Sequence, residues 1–333
     1  AARVLRVKQA LGLFDNPYVD EGAVPEALDN PAARELAREA ASESAVLLKN
    51  IGVLPLRSVR RLAVVGPCAD DPLCMLGDYH YAAHLGLDKL GVEVVTVLEG
   101  IRKLAPPGTE VLYAKGCGIL SKDKSGFGEA GEVAQKADVV VAAVGERSGG
   151  FWLGGREQCS GEGLDRSELG LPGVQEGLLR ELVATGKPVV AVVVSGRPLA
   201  LSHDVLEGIA ALIEAWHPGE EGGVALAELL FGVRSPSGRL PISVPKSAGH
   251  VPAYYWRKPS SFNPYVESDA KPLFPFGFGL SYTSFRYRDL RVEPSCLDPE
   301  SWLDVSVTVE NVGEVEGAEV GRASCRERVL VTV

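Results

Sequence analysis

From residue 61 onward the chain alternates short apolar runs with amphipathic stretches. The runs are RLAVVGP (61–67), EVLYAKG (110–116), ADVVVAAVG (137–145), PVVAVVVSG (188–196), IAALIEAW (209–216) and LPISVP (240–245). Their Val, Ile and Ala residues follow one another with little polar alternation. A strand with one face in water alternates, whereas a strand covered on both faces does not. Stretches with helical spacing separate several of the runs, at 128–136, at 173–185 and in EEGGVALAELLFG (220–232). The pattern predicts an α/β fold, a doubly wound and mostly parallel six-stranded sheet covered by helices. In such folds ligands gather at the carboxyl ends of the strands.

The flanks read differently. Val4, Leu5, Val7, Leu11 and Leu13 recur as on one side of a helix. In DNPAARELAREAASESAVLLKN (29–50), Asp29 or Asn30 can cap and Pro31 suits a first turn. We expect that helix to run to about Asn50-Ile51-Gly52. After 246 the pattern gives way to aromatic-rich loops, VPAYYWRKPSSFNPYV (251–266) and PLFPFGFGLSYTSF (272–285). From 286, FRYRDLRVEP and WLDVSVTVENVGEVEGAEV alternate apolar with polar positions, as antiparallel strands do. Residues 286–333 are too few for a complete β-sandwich, which takes about 100.

Length and charge narrow the function classes. The 333 residues allow about two domains. A net charge of −10, with acids and bases mixed along the chain, argues against nucleic acid or an anionic membrane as partner. No apolar run approaches the ~20 residues of a membrane span. The chain opens without Met, on a helix already under way, so we expect a piece of a longer protein. The cysteines at 68, 74, 117, 159, 296 and 325 match no zinc spacing; Cys68 and Cys74 are close enough for a local disulfide, with free thiols as the alternative. His80 and His84 could share a metal only on a helix, and Gly77-Asp78 suggests a loop, so no metal is expected. A phosphate-binding G-x-x-x-x-G-K-[ST] and a dinucleotide G-x-G-x-x-G are both absent, and no cofactor is called for. Ser195 ends a run without the G-x that precedes a nucleophile elbow, and reads as a turn residue.

The chemistry-bearing stretch is CSGEGLDRSELGLPG (159–173), which follows the run ending Val144-Gly145-Glu146. Glycines on both sides of Glu162 would let its carboxyl approach a ligand closely. The plain alternative is a solvated loop acid. Glu146 and Glu157 are rivals, Glu146 because it follows a strand end directly. Asp165 and Arg166 read as an ion pair supporting the loop, and Glu168 as a first-turn or exposed acid. Phe151 and Trp152 could stack on a sugar or pack inside the protein. Asp78 and Tyr79 could border a cleft or brace a turn. His217 and Glu220 lie in a turn that reads as structural.

Taken in order, ESAVLLKNIGVLPL, AVVGP, MLGDY, ADVVVAAVGE, SGEGLDRSELGLPGVQ, GKPVVAVVVSGRPLAL, AWHPGEEGGVALAELLFGVRSPSGRLPISVP and PLFPFGFGLSYTSF resemble glycoside hydrolase family 3, of β-glucosidase and β-xylosidase type. The resemblance runs from residue 1 to about 320. It implies a domain plan: 1–30 as the end of an N-terminal (β/α)8-like barrel and linker, 31–260 as the family's α/β sandwich domain, 261–285 as an aromatic linker, and 286–333 as part of a fibronectin type III-like domain. It also implies a retaining mechanism with an Asp nucleophile on the barrel and a Glu acid/base on a loop of the sandwich domain. Glu162-Gly-Leu-Asp-Arg166, ahead of Leu169, Leu171, Pro172 and Gln175, fits the acid/base pattern. No Asp here matches the nucleophile motif, so the missing barrel is an expected partner in cis. The expected substrate is a β-linked oligosaccharide or an aryl or alkyl glycoside, with glucose versus xylose left open. A second reading is a non-catalytic carbohydrate-binding or structural α/β module. The tail GRASCRERVLVTV (321–333) departs from the family pattern and reads as foreign to it.

Overall fold

The computed structural model describes residues 1–81, 90–149, 157–258, 264–293 and 302–321. The chain divides into two units, Ala1–Leu36 and Ala37–Val333. The first holds α1 (Ala2–Ala10), α2 (Val24–Leu28) and the start of α3 (Pro31–Ser44), and it buries none of its α1 or α2 side chains. The Asn30 side chain accepts from the Ala33 N–H at 2.9 Å, the cap expected from Asn30-Pro31.

The second unit carries a six-stranded sheet. Its strands are β1 (Val46–Asn50), β2 (Arg61–Val65), β3 (Glu110–Ala114), β4 (Val139–Gly145), β5 (Val189–Val194) and β6 (Ala211–Glu214). They lie in the order β1-β6-β5-β4-β2-β3. All neighbours are parallel except β1, which runs antiparallel to β6. The helices are α4 (Pro72–Met75), α5 (Val97–Leu104), α6 (Phe127–Lys136), α7 (Gln175–Ala184), α8 (His203–Gly208) and α9 (Gly222–Phe231). No helix among the described residues is long and apolar enough to cross a membrane.

Side-chain alternation along the strands makes two cores. Val139, Val141, Ala143, Val190, Val192 and Val194 face one layer with α5 and α9. Val140, Ala142, Val144, Val189, Ala191 and Val193 face the other with α6, α7 and α8. Every residue of β4 and β5 is buried, and full burial of a valine is worth about 1.5–3 kcal/mol. That explains the unbroken apolar runs.

Two expectations need correction. The helix from Pro31 stops at Ser44, and Val46–Asn50 forms β1 against β6. Its apolar residues cover a sheet edge that would otherwise show unpaired backbone groups. The run 240–245 is not a strand; Val244 makes only a single bridge to Phe274. Pro241 and Pro245 lack the N–H groups a strand would donate, and the apolar Leu240 and Val244 serve as core. The sheet has six strands as expected, with a different sixth member.

A small second sheet pairs β7 (Phe285–Glu293) antiparallel with β8 (Asp304–Asn311). In the main sheet the chain leaves β2 for the β3 edge, then returns to place β4 on β2's other side. A crevice opens where such connections part, at the carboxyl ends of β2 and β4. There the chain reads Gly66-Pro-Cys68 and Gly145-Glu-Arg147.

Candidate active site

Gly145 ends β4, and Gln175 fixes it. The Gln175 amide donates to the carbonyls of Gly145 (2.8 Å) and Ile119 (3.0 Å), and its oxygen accepts from the Gly145 N–H (2.7 Å). The next residue, Glu146, is 0% exposed. Its Oε1 lies 3.0 Å from Arg166 Nη1 and its Oε2 lies 3.2 Å from Arg197 Nε. A carboxylate can be buried when guanidinium groups engage it, because their hydrogen bonds replace those of water. Arg197 also donates through Nη2 to the carbonyls of Cys159 and Leu164, each at 3.2 Å. One guanidinium therefore ties the end of β5 to Glu146 and to both sides of the 159–164 loop.

The rising and returning limbs of this loop also meet directly. The Cys159 N–H donates to the Arg147 carbonyl (3.1 Å), and the Gly149 N–H donates to the Ser160 carbonyl (3.0 Å). Gly161 then has φ +122°, and a Cβ there would stand 2.0 Å from the Gly149 oxygen and 3.1 Å from the Asp78 carboxyl carbon. Glycine is required by both conformation and space. This close approach lets Asp78 Oδ2 accept the Glu162 N–H at 2.7 Å.

Glu162 stands at the exposed tip. Its side chain hydrogen-bonds the phenol of Tyr79, and that bond pushes the Tyr79 hydroxyl above the ordinary tyrosine range. Below the tip, His217 Nδ1 lies 2.9 Å from the Cys74 carbonyl. Burial pulls His217 below the usual histidine range, and burial does the same to His80. Both rings are therefore neutral near pH 7. A further carboxyl, Glu214 at the end of β6, has no cation paired with it among the described residues. Its Oε1 accepts from Ser195 Oγ (3.0 Å) and the Trp216 N–H (3.1 Å), and burial pushes it up to about 8. It is a neutral acid at pH 7.

The structure thus gathers Asp78, Tyr79, Glu146, Glu162, Arg166 and Arg197. Arg166 reaches Glu146 rather than the expected Asp165, which is exposed. Glu146 has both oxygens engaged and no exposed surface, so it presents no free carboxylate to a cleft. Glu157 Oε1 lies against the Gly118 turn, 2.4 Å from where a Cβ of Gly118 would be. Glu168 is exposed. Phe151 and Trp152 lie outside the described residues. Cys68, Cys74, Cys117 and Cys159 are buried free thiols, so the local disulfide is not formed; Cys296 and Cys325 lie outside the described residues. Burial pushes the thiols of Cys117 and Cys159 up to about 12 and about 11, which leaves them unreactive at neutral pH. No group of three or more His, Cys, Asp or Glu among the described residues could hold a metal. Sequence reasoning missed Arg197. The only signal was Arg directly after a strand-end Ser-Gly, which does not identify its distant partners.

Residues 45–282 match the glycosyl hydrolase family 3 C-terminal domain. The chain belongs to glycoside hydrolase family 3. A β-xylosidase of Formosa agariphila is 38% identical to this family 3 chain, over 98% of the chain and 44% of the relative. A periplasmic β-glucosidase of Salmonella typhimurium is 36% identical, over 95% of the chain and 44% of the relative. Among solved structures, a β-glucosidase from Erythrobacter marinus superposes with a TM-score of 0.76 at 37% identity, covering 91% of this chain and 42% of that one. The chain spans less than half the length of the curated relatives it matches. The mostly parallel six-stranded sheet and the small C-terminal antiparallel sheet accord with this family.

Proposed function

We propose that this chain supplies the acid/base half of an exo-acting, retaining β-glycosidase site, with Glu162 as the acid/base. The observation that carries the reading is an exposed carboxyl at the tip of a loop whose stem is anchored by the buried Glu146 and the half-buried Arg166 and Arg197 that engage it. A general acid must reach the glycosidic oxygen and hold its place through both steps: it protonates the leaving group, then takes a proton from water. The sheet end supplies the rigidity and the glycine-flanked tip supplies the reach.

In this reading the nucleophile is an aspartate of a barrel in the same protein, outside these 333 residues. It would stand about 5–5.5 Å from Glu162, with the scissile bond of a β-glucoside or β-xyloside between them. Residues 1–30 would close that barrel, and 286–333 would open a fibronectin type III-like domain. Asp165 and Glu168 take no part in the chemistry.

The test is Glu162→Gln in the whole protein that carries this chain. Turnover of an unactivated β-glycoside should fall by about 10²–10⁴-fold, the usual worth of general acid–base catalysis. Glycosylation by a dinitrophenyl glycoside, whose leaving group needs little protonation, should fall far less. Wild-type turnover of both substrates refutes the assignment.

A further inference from the structure

We infer that Asp78 is a positioning residue for the acid/base: its carboxylate grips the main chain of Glu162 and so fixes where the loop tip stands. This inference rests on the acid/base reading above. Three observations support it. First, the stem and the tip are held from different parts of the chain. Arg197, just past β5, takes the carbonyls of Cys159 and Leu164 on the two sides of the loop. The tip between them is tied to the segment after β2, where Asp78 Oδ2 accepts the Glu162 N–H at 2.7 Å, across 84 residues of sequence. A hydrogen bond to a carboxylate is shorter and stronger than one between neutral groups.

Second, the loop is pressed onto that carboxylate. Gly161 has φ +122°, and a Cβ there would stand 3.1 Å from the Asp78 Cγ as well as 2.0 Å from the Gly149 oxygen. The glycine beside Glu162 therefore admits Asp78 as much as it bends the tip. Third, Asp78 Oδ1 is buried and has no hydrogen-bond partner among the described residues. Burying a carboxylate oxygen without a partner costs free energy, and one bond to an exposed loop N–H returns little of it. A carboxylate so placed serves geometry better than stability. With Oδ1 buried and Oδ2 on the Glu162 N–H, Asp78 faces the loop rather than a ligand.

The retaining cycle explains why the tip needs such a tether. One carboxyl must meet the glycosidic oxygen in the first step and the attacking water in the second. A displacement of about 1 Å can cost about 10²-fold in rate. Asp78 acts on the Glu162 main chain, so the reacting carboxyl stays free to give and take its proton.

The tether itself is read by amide hydrogen exchange in the whole protein that carries this chain. Asp78→Ala should quicken exchange at the Glu162 N–H about tenfold or more, the worth of a hydrogen bond to a charged group. The stem amides of Gly149 and Cys159, bonded to the Ser160 and Arg147 carbonyls, should keep their rates. Unchanged exchange at Glu162 overturns the inference.

The role is read in kinetics. Asp78→Ala should lower kcat on an unactivated β-glycoside by about 10–10²-fold with KM within about twofold. Glycosylation by a dinitrophenyl glycoside should fall by less than about threefold, because it needs little protonation. Asp78→Asn keeps an oxygen for the Glu162 N–H and should restore most of the lost turnover. Wild-type kcat in Asp78→Ala, or no rescue by Asp78→Asn, refutes the positioning role. A raised KM with equal losses on both substrates refutes it too, since that is the mark of a group binding the sugar. Failure of the acid/base reading looks different: Glu162→Gln would turn over normally while Asp78→Ala still quickened exchange at the Glu162 N–H.

Discussion

Glu146 and Glu162 sit at opposite ends of one loop assembly, and their surroundings could hardly differ more. Glu146, at the stem, is fully buried and meets a guanidinium nitrogen at each oxygen. Glu162, at the tip, is exposed, anchored through its backbone N–H and touched by one phenol. Removing a carboxylate from water is costly, so the buried one must spend its whole hydrogen-bonding capacity on holding neighbours in place. The exposed one keeps lone pairs free for a ligand. Glu214 completes the contrast: buried, with no cation paired with it among the described residues, it keeps its proton.

The sharpest way to break this comparison is the same chemical change at both ends. Glu146→Gln leaves the half-buried Arg166 and Arg197 without their charge partner. It should cost about 1–3 kcal/mol of stability, read as a lower urea midpoint at unchanged slope. Glu162→Gln should stay within about 0.5 kcal/mol. Equal losses would mean that the stem and the tip are not distinct.

Glu214 gives the next effect, in pH dependence. Its folded value is raised from 4.5 to about 8, so between those limits the folded state binds one proton more than the unfolded state. Stability must therefore fall as pH rises, by about 1.4 kcal/mol per unit from this group. His217 opposes this only below its ordinary 6.5, because its folded value is lowered and its contribution is lost as pH falls. The clear window is pH 6.5 to about 8. Glu214→Gln should flatten the stability–pH curve there; a slope that survives the substitution would show Glu214 already ionised. Smallest is Asp165→Asn, which should change stability by less than about 0.5 kcal/mol, because Arg166 is engaged by Glu146. A loss of about 2 kcal/mol or more would restore the expected Asp165–Arg166 pair, a threshold set at about four times the usual surface effect.

Much of the sheet was legible because burial on both faces leaves an unmistakable mark: β4 and β5 are continuous Val/Ala runs. The reading went astray where local pattern was ambiguous. AVLLKN continues a helix as plausibly as it begins a strand, and only pairing with β6 decides for β1. LPISVP looks like a strand until its prolines are asked to donate. At the site, Glu162 was picked out by the glycines and the family pattern around it. Arg197 was not, because its partners Glu146, Cys159 and Leu164 lie 33 to 51 residues away in sequence.

Local chemistry written along the chain was thus enough for the fold class and the family, since apolar periodicity and motif spacing are properties of neighbours in sequence. Which carboxyl is locked, which is neutral and which is free depended on cations, carbonyls and a phenol brought in from distant segments. A side chain's charge state and reach are set by what surrounds it in space, and folding alone assembles those surroundings.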